Sequence, residues 1–310
     1  MVKAGSRKIN RLNKTPIKKG DVFFYAVLLL IPIIQISIFY FGVNAQSFLL
    51  AFQTKNEASQ FVFDASKNWN TFVSDIKSPI FWTYIKNSFL VYLCTVLAGT
   101  VLAAIFSYYI YKKRFLSNFF KFVLFLPSLL PAILLVIMFK GFVGKGVPAY
   151  LNFLFGIDYS VTGGNIFQHE NNLTLIIITL YSIWISFGSQ VLVYTAAMDQ
   201  ISPEVIEAGK LDGTNSFTEF IHIILPSILE TVGTFLIVGI ASIFTNQNNL
   251  FNFYGGGGPS EHYTIGYWLY IKLKAGDGNY PYVSFIGLVF TAVIIPLTFL
   301  LRKIITKVTK

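Results

Sequence analysis

Charged residues are scarce in this chain, and cysteine is almost absent. Only 12% of its 310 residues are Asp, Glu, Lys or Arg, whereas 54% are hydrophobic. A soluble domain of this size could not bury so much apolar surface, so the composition excludes an ordinary soluble protein and indicates one surrounded by membrane lipid. The single cysteine, Cys94, excludes a disulfide framework, and its apolar surroundings indicate a small core residue.

The motifs of nucleotide and metal chemistry are missing as well. No G-x-x-x-x-G-K-[ST] phosphate loop occurs, so we expect that ATP is not bound by this chain and that it carries no cofactor. The histidines, His169, His222 and His262, are dispersed without a Cys or His at ligand spacing, so we expect no metal site. A membrane-embedded enzyme would show a catalytic pair or a metal cluster at one depth, and the sequence shows neither.

The formal net charge of +10 is concentrated outside the apolar runs. Seven basic residues at the amino end precede the first apolar run. We therefore interpret them as a topology signal and expect no nucleic-acid partner. The seven basic residues at the amino end are Lys3, Arg7, Lys8, Arg11, Lys14, Lys18 and Lys19.

Apolar runs that approach or exceed the roughly 20 residues needed to cross a bilayer occur six times. The first is too long for a signal-peptide core and lacks a cleavage site of small residues, so we interpret it as a retained helix. Pro127 and Pro131 lie in the third run, and packed membrane helices tolerate such prolines. The predicted spans are 22–43, 87–111, 119–140, 173–197, 223–245 and 282–301.

Basic residues predict which side each connection lies on. They occur in the amino tail, in the second connection (Lys112, Lys113, Arg114) and in the carboxyl tail from Arg302, so both termini are expected in the cytoplasm. The sequence therefore predicts an all-α integral membrane protein. Its expected parts are a basic tail at 1–21, a six-span transmembrane domain at 22–301 and a basic tail at 302–310.

The loop at 198–222 departs from this pattern because it is acidic although alternation places it in the cytoplasm. Ser202-Pro203 is typical of a helix start, and Asp212-Gly213 is typical of a helix end. Ser216 and Glu219 have the spacing of a capping box for a second helix. The sequence also predicts a bend at Leu225-Pro226 and one apolar face on each helix. The predicted faces are Val205, Ala208, Gly209 and Leu211 in the first helix and Phe217, Phe220, Ile221 and Ile224 in the second.

Two interpretations of this hairpin stay open on physical grounds. Its helices could lie on the bilayer surface, as amphipathic helices often do. However, such helices usually carry a Lys/Arg-rich polar face, whereas this loop has five acidic residues and one Lys210. An acidic rim around two short helices favours docking to another protein.

Several motifs here resemble those of binding-protein-dependent ATP-binding-cassette import permeases. Glu207-Ala208-Gly209, then Gly213, then Ile223-x-Leu225-Pro226 resembles the EAA loop of that superfamily, over 198–226. Pro127, Pro131, Lys140-Gly141-Phe142, Gly146-x5-Asn152 and Tyr254-Gly255-Gly256-Gly257-Gly258-Pro259 resemble its carbohydrate-uptake branch, the maltose and oligosaccharide permeases. Gly209 replaces the usual second alanine, and Tyr254 replaces the usual threonine.

The resemblance implies a type I importer permease in a bacterial inner (cytoplasmic) membrane. It implies a second homologous permease subunit, two ATP-binding-cassette ATPase subunits that bind the ATP, an extracytoplasmic solute-binding protein and a sugar cargo. The hairpin would couple ATP-driven closure of the ATPases to alternating access. The residues that the resemblance assigns to this coupling are Glu207, Ala208, Gly209, Asp212, Gly213, Ile223, Leu225 and Pro226.

Polar side chains in the fourth and fifth spans are candidates for the substrate pathway. Hydroxyls and aromatic rings suit a sugar, and the resemblance places sugar contacts on the same two spans. Small serines that only permit close helix packing remain an equal alternative. The candidates are Ser182, Trp184, Ser186, Ser189, Asn246 and Asn248.

A proton- or sodium-coupled secondary transporter is the second functional hypothesis. That class should show inverted repeats and several intramembrane acids. The sequence has no clear repeat, and Glu230 is interpreted as a carboxylate near the cytoplasmic interface. The importer permease is therefore the preferred hypothesis.

Overall fold

The computed structural model describes residues 19–56, 58, 60–156 and 172–308, most of which are helical. Its α-helices are α1 Lys19–Gln35, α2 Val43–Ala51, α3 Ser66–Lys77, α4 Pro79–Tyr92, α5 Gly99–Tyr111, α6 Ser117–Leu129, α7 Ala132–Gly141, α8 Val147–Phe155, α9 Asn172–Met198, α10 Pro203–Leu211, α11 Ser216–Glu219, α12 Leu225–Ser227, α13 Leu229–Ala241, α14 Leu250–Tyr254, α15 Ile265–Lys274 and α16 Tyr280–Val308. Four π-helical turns join α1 to α2, α4 to α5, α7 to α8 and α11 to α12, at Ile36–Gly42, Leu93–Ala98, Phe142–Gly146 and Phe220–Ile224.

Five helices in the described residues are long and apolar enough to cross a membrane, and a bent pair raises the number to six. The pair is Ser216–Ser227 with Leu229–Ala241, bent by 66°. The predicted runs correspond to these helices, with longer bounds in most cases. The five single helices are Val22–Ala51, Pro79–Tyr111, Ala132–Phe155, Leu173–Met198 and Asp277–Lys307.

The prediction of one unbroken third span at 119–140 is wrong. α6 ends at Leu129, and Leu130 is extended with φ −95° and ψ 147° before α7 begins at Ala132. Pro131 explains the break, because a proline excludes the preceding residue from the helical region. The part after the break continues to Phe155 and alone reaches a spanning length.

The structure is helical, as predicted, apart from a short β-hairpin that follows the first long helix. β1 (Gln53–Lys55) pairs antiparallel with β2 (Phe61–Phe63), so that Thr54 lies opposite Val62. The Asn68 side chain of α3 donates hydrogen bonds to the carbonyls of Ala51 and Gln53, at 3.1 and 2.8 Å. α3 thereby holds the hairpin against the end of the first helix.

Polar contacts join the connections near α3 to those near α15. Lys55 forms an ion pair of 2.8 Å with Asp277, just before α16. Asn87 of α4 donates to the carbonyls of Glu261 and Tyr263, at 2.7 and 3.0 Å. These contacts hold the connections near α3 and α15 together.

α5 and α9 pack closely along their length. Ala103 and Ser107 of α5 are fully buried, and the Ser107 hydroxyl donates to the carbonyl of Val191 at 3.0 Å. Small side chains permit this close approach of two membrane helices. Cys94, in contrast, is exposed on the surface of its helix, so the prediction of a core residue is wrong.

Gly188 marks the closest crossing, between α9 and α6. A Cβ at this position would lie 1.9 Å from the carbonyl oxygen of Leu124. Because that oxygen belongs to the main chain, it cannot rotate away. The two helices therefore depend on glycine here.

Replacement of Gly188 by alanine is expected to lower the apparent melting temperature of the solubilised protein, with a destabilisation of about 1–3 kcal/mol, because overpacking forces a backbone shift. The matched control is Gly287→Ala in α16, where an added Cβ meets no described atom within 4 Å. Equal melting temperatures for the two variants would contradict the close α6–α9 crossing.

Candidate functional site

The hairpin of α10 to α12 (203–227, called the helical hairpin below) begins and turns as its sequence predicts. Ser202 is extended and Pro203 opens α10, although the Ser202 hydroxyl interacts with Glu204 rather than with the free N–H groups. Together with the Glu204 N–H, this contact holds the pKa of the Glu204 carboxyl below its ordinary value. Gly213 has φ +77°, the left-handed conformation that favours glycine.

The predicted capping box at Ser216 and Glu219 is wrong by one residue. Asn215 is the N-cap, since its side chain accepts a hydrogen bond of 2.8 Å from the Thr218 N–H. Glu219 does not turn back toward the helix start, because its carboxylate binds Lys112 of the α5 end at 2.8 Å. A tertiary ion pair therefore replaces the local contact that the spacing suggested.

The residues of the predicted apolar face of α10 differ in burial. Ile206 and Gly209 are buried, whereas Val205, Ala208 and Leu211 are exposed. Gly209 faces the second helix, and a Cβ there would lie 2.5 Å from Cδ1 of Ile223. Glycine in place of the usual alanine thus gives Ile223 room, so two separate parts of the EAA-like motif contact each other.

The second helix of the helical hairpin, Ser216–Ser227, packs through its carboxyl-terminal half. Ile224 is fully buried in a cluster with Tyr194, Met198 and Ile206, and Phe220 packs against the same cluster. Phe217, at the other end of the predicted stripe, is exposed. The stripe therefore faces the core only from Phe220 onward.

The predicted bend at Leu225-Pro226 lies slightly further along the chain. Pro226 is inside α12, and the helix axis turns by 66° at Ile228. A π-helical turn at Phe220–Ile224 precedes the proline, and such turns often accompany a break in the regular hydrogen bonding of an α-helix.

The exposed tip of the helical hairpin combines apolar and acidic side chains. Leu211 is 89% exposed and Phe217 is 74% exposed. Glu204, Glu207 and Asp212 are exposed around them. Such a surface is suited to a protein partner with an apolar recess and basic residues at its rim.

Ser182, predicted in the fourth span, and Asn248, predicted at the outer end of the fifth, are brought together by the fold. Both are buried, and Ser182 donates weakly to the Asn248 carbonyl at 3.5 Å while accepting from Asn249 at 2.9 Å. The Asn248 amide donates to Thr179 at 3.2 Å. Asn248 and Asn249 have positive φ angles of 49° and 58°, which asparagine tolerates better than most residues. These contacts anchor a turn on α9.

The other pathway candidates are more accessible. Ser186 and Ser189 bond to carbonyls of their own helix, and Ser189 and Trp184 are exposed. Asn246 is exposed and lines a small cleft of about 10 Å³ with Ser88, Tyr92, Ser242 and Thr264. That cleft includes none of the three predicted serines, so the structure does not gather the candidates into one cavity of the described residues.

The contact among Tyr108, Lys112 and Glu219 was not predicted from the sequence. Tyr108 donates to the Ser216 carbonyl at 2.9 Å and to the Glu219 carboxylate at 3.3 Å. An available signal was Glu219 itself, an acid inside an apolar helical stripe. His169 and most of the basic amino tail lie outside the described residues.

Residues 95–310 match the family described as binding-protein-dependent transport system inner membrane component, and the chain belongs to this family. The resemblance noted in the sequence is thereby confirmed. The helices and the family together make the chain a multi-pass membrane protein.

Named relatives align over most of the chain. The probable ABC transporter permease protein YurN of Bacillus subtilis is 25% identical over 284 residues, 89% of this chain and 94% of the relative. The multiple sugar-binding transport system permease protein MsmF of Streptococcus mutans is 23% identical, over 86% of this chain and 89% of the relative. The maltose/maltodextrin permease protein MalF of Vibrio parahaemolyticus is 27% identical, but the match covers only 34% of its length.

A solved structure has the same fold. The crystal structure of a bacterial ABC transporter involved in import of the acidic polysaccharide alginate aligns with a TM-score of 0.73 and 18% identity, over 94% of this chain and 98% of that chain. The likeness shows that the fold is that of an ABC importer permease.

Asn215→Ala is expected to destabilise the helical hairpin by about 1 kcal/mol, because the Thr218 N–H loses its cap. The measurement is the rate of limited proteolysis within 203–227 in native membranes. Ser216→Ala is the matched control and should leave the rate unchanged. If Ser216→Ala accelerates cleavage and Asn215→Ala does not, the assignment of Asn215 as the cap is wrong.

Proposed function

We propose that this chain is the permease subunit of an ATP-driven importer, and that it forms half of the pathway for a sugar of the oligosaccharide class. A solute-binding protein delivers the sugar on the outer side. The names of MsmF and MalF and the alginate importer support a carbohydrate cargo. The observation that carries the proposal is the exposed tip around Leu211, held by the Gly213 turn.

The proposed topology has six spans with both termini in the cytoplasm of a bacterium. The bent pair counts as the fifth span, and α6 with the helix to Phe155 forms the third. The Lys112–Glu219 contact supports a common side for the basic second connection and the helical hairpin. The carboxyl end of α16 fits the same side, since Ile305 lies against Gly233, just after the hairpin. In this topology 1–21 and 302–310 are cytoplasmic tails around the domain at 22–301.

A second permease subunit is part of the proposal because much of the first helix is exposed in the described chain, although its last part, Val43–Ala51, packs against α16. In the most apolar stretch of Val22–Ala51, no residue is buried. A helix that is apolar on all sides requires lipid or another protein around it. The second subunit would cover part of this surface, and lipid the rest.

Two ATPase subunits would bind the ATP and receive the hairpin tips of the two permeases. Leu211 and Phe217 would enter an apolar recess, while Glu207 and Asp212 would meet basic residues. Ala208, exposed on α10, would contact the same partner. Gly209, Gly213, Ile223, Leu225 and Pro226 would maintain the shape of the hairpin, so all eight residues that the resemblance assigns to coupling would contribute to it.

The sugar pathway is proposed to use Trp184, Ser186, Ser189 and Asn246. Trp184 and Ser189 are exposed on α9, where a ring and a hydroxyl could bind a sugar face and its rim. Ser182 and Asn248 would act indirectly, because their contacts shape the turn that carries Asn246.

Gly213→Val is expected to reduce sugar uptake by at least about tenfold, because a β-branched residue resists the left-handed conformation and displaces the tip. Uptake of radiolabelled oligosaccharides by cells and vanadate-sensitive ATP hydrolysis by the purified complex measure the effect. Hydrolysis should persist while uptake falls.

Gly213→Asn is the matched control, because asparagine adopts positive φ and should retain uptake. Normal uptake by Gly213→Val would contradict the coupling role of the turn. Uptake that survives ATP depletion and stops with an ionophore would contradict the importer itself.

A further inference from the structure

The helical hairpin is joined by the chain to only two of the long helices. α9 leads into α10, and α12 leads into α13. α5 and α6 have no such covalent connection to it. If the hairpin is to move the whole bundle, as the proposed function requires, these two helices need a non-covalent link.

Such a link exists at the end of α5. Lys112 donates to both carboxylate oxygens of Glu219, at 2.8 and 3.0 Å, and Tyr108 donates to one of them at 3.3 Å. The Tyr108 hydroxyl also bonds to the Ser216 carbonyl, and its ring packs on Phe220 with centroids 5.0 Å apart. Two side chains one helical turn apart at the end of α5 therefore contact Ser216, Glu219 and Phe220 at the start of the second hairpin helix.

The ion pair is shielded from water. The Glu219 side chain is 4% exposed and the Lys112 side chain is 20% exposed. A buried pair contributes little net stability on average, but loss of one partner leaves an uncompensated charge. The three hydrogen bonds from Lys112 and Tyr108 also fix the carboxylate in one position. This geometry suits a contact that transmits displacement in a defined direction.

The same end of α5 also leads into α6. Lys112 and Lys113 form the start of the turn to α6, and Tyr109 bonds to the Phe115 carbonyl at 2.6 Å within that turn. A displacement of Glu219 would therefore reach both the second and the third predicted spans. Apolar contacts of Tyr108 and Tyr111 with the buried cluster support the link laterally.

We propose that Lys112 and Glu219, positioned by Tyr108, form the joint through which the helical hairpin moves α5 and α6. The proposal rests on the proposed function and adds positioning residues that the resemblance does not assign to coupling. Removal of either charge should leave the hairpin free to follow its ATPase subunit while the end of α5 stays behind.

The experiment follows the distance between two spin labels in the purified complex with its ATPase subunits. One label replaces exposed Lys113 at the end of α5 and the other replaces exposed His222 on the second hairpin helix, after Cys94→Ser has removed the exposed thiol. The distance is measured without nucleotide and after trapping with ATP and vanadate. This readout needs no knowledge of the sugar.

In the parent protein the label distance should change by less than about 2 Å on trapping, as for two parts that move together. In Glu219→Gln and Lys112→Met it should change by more than that or become broadly distributed. Lys112→Arg, which keeps the charge, should behave like the parent.

Unchanged distances in Glu219→Gln and Lys112→Met would overturn the joint. Loss of both variants from the membrane, with Lys112→Arg retained, would assign the pair a purely structural role and also overturn it. Failure of the proposed function gives a different result, since the parent complex itself would then trap no nucleotide.

Discussion

The close packing of α5 against α9 is the constraint on which the rest of the site depends. Ala103 and Ser107 permit the approach, and the Ser107 hydroxyl bonds directly to the backbone of α9 at Val191. The two helices end on the same side, where the helical hairpin packs across them. The buried cluster of Tyr194, Met198, Ile206 and Ile224 then extends from the membrane helices into the hairpin without interruption. A displaced hairpin must therefore disturb this packing.

Much of the fold could be predicted from apolar length alone, because a bilayer requires about 20 apolar residues per helix. The third run shows the limit of that reasoning. Its composition is mostly apolar from end to end, yet Pro131 excludes Leu130 from the helix and divides the run. The β1–β2 hairpin was missed because three-residue strands give too short an alternation to be distinguished from a polar loop.

The hairpin's turn was predictable because Gly213 reports a local backbone requirement. Its buried face was not, because tertiary neighbours decide it. Glu219 has the right spacing for a capping box, but Lys112 lies 107 positions earlier in the chain and binds the carboxylate instead. The contacts between Ser182 on α9 and the turn at Asn248 and Asn249 could not be predicted, because the tertiary fold alone brings that turn onto α9.

The central claim is that the exposed tip of the helical hairpin contacts an ATP-hydrolysing subunit. A photoreactive amino acid at Leu211, which is 89% exposed, measures this directly in native membranes. The same probe at Ile206, which is buried, serves as the control. The account predicts a cross-link from position 211 to a nucleotide-binding subunit and none from position 206. Cross-links from position 211 to lipid alone would contradict it.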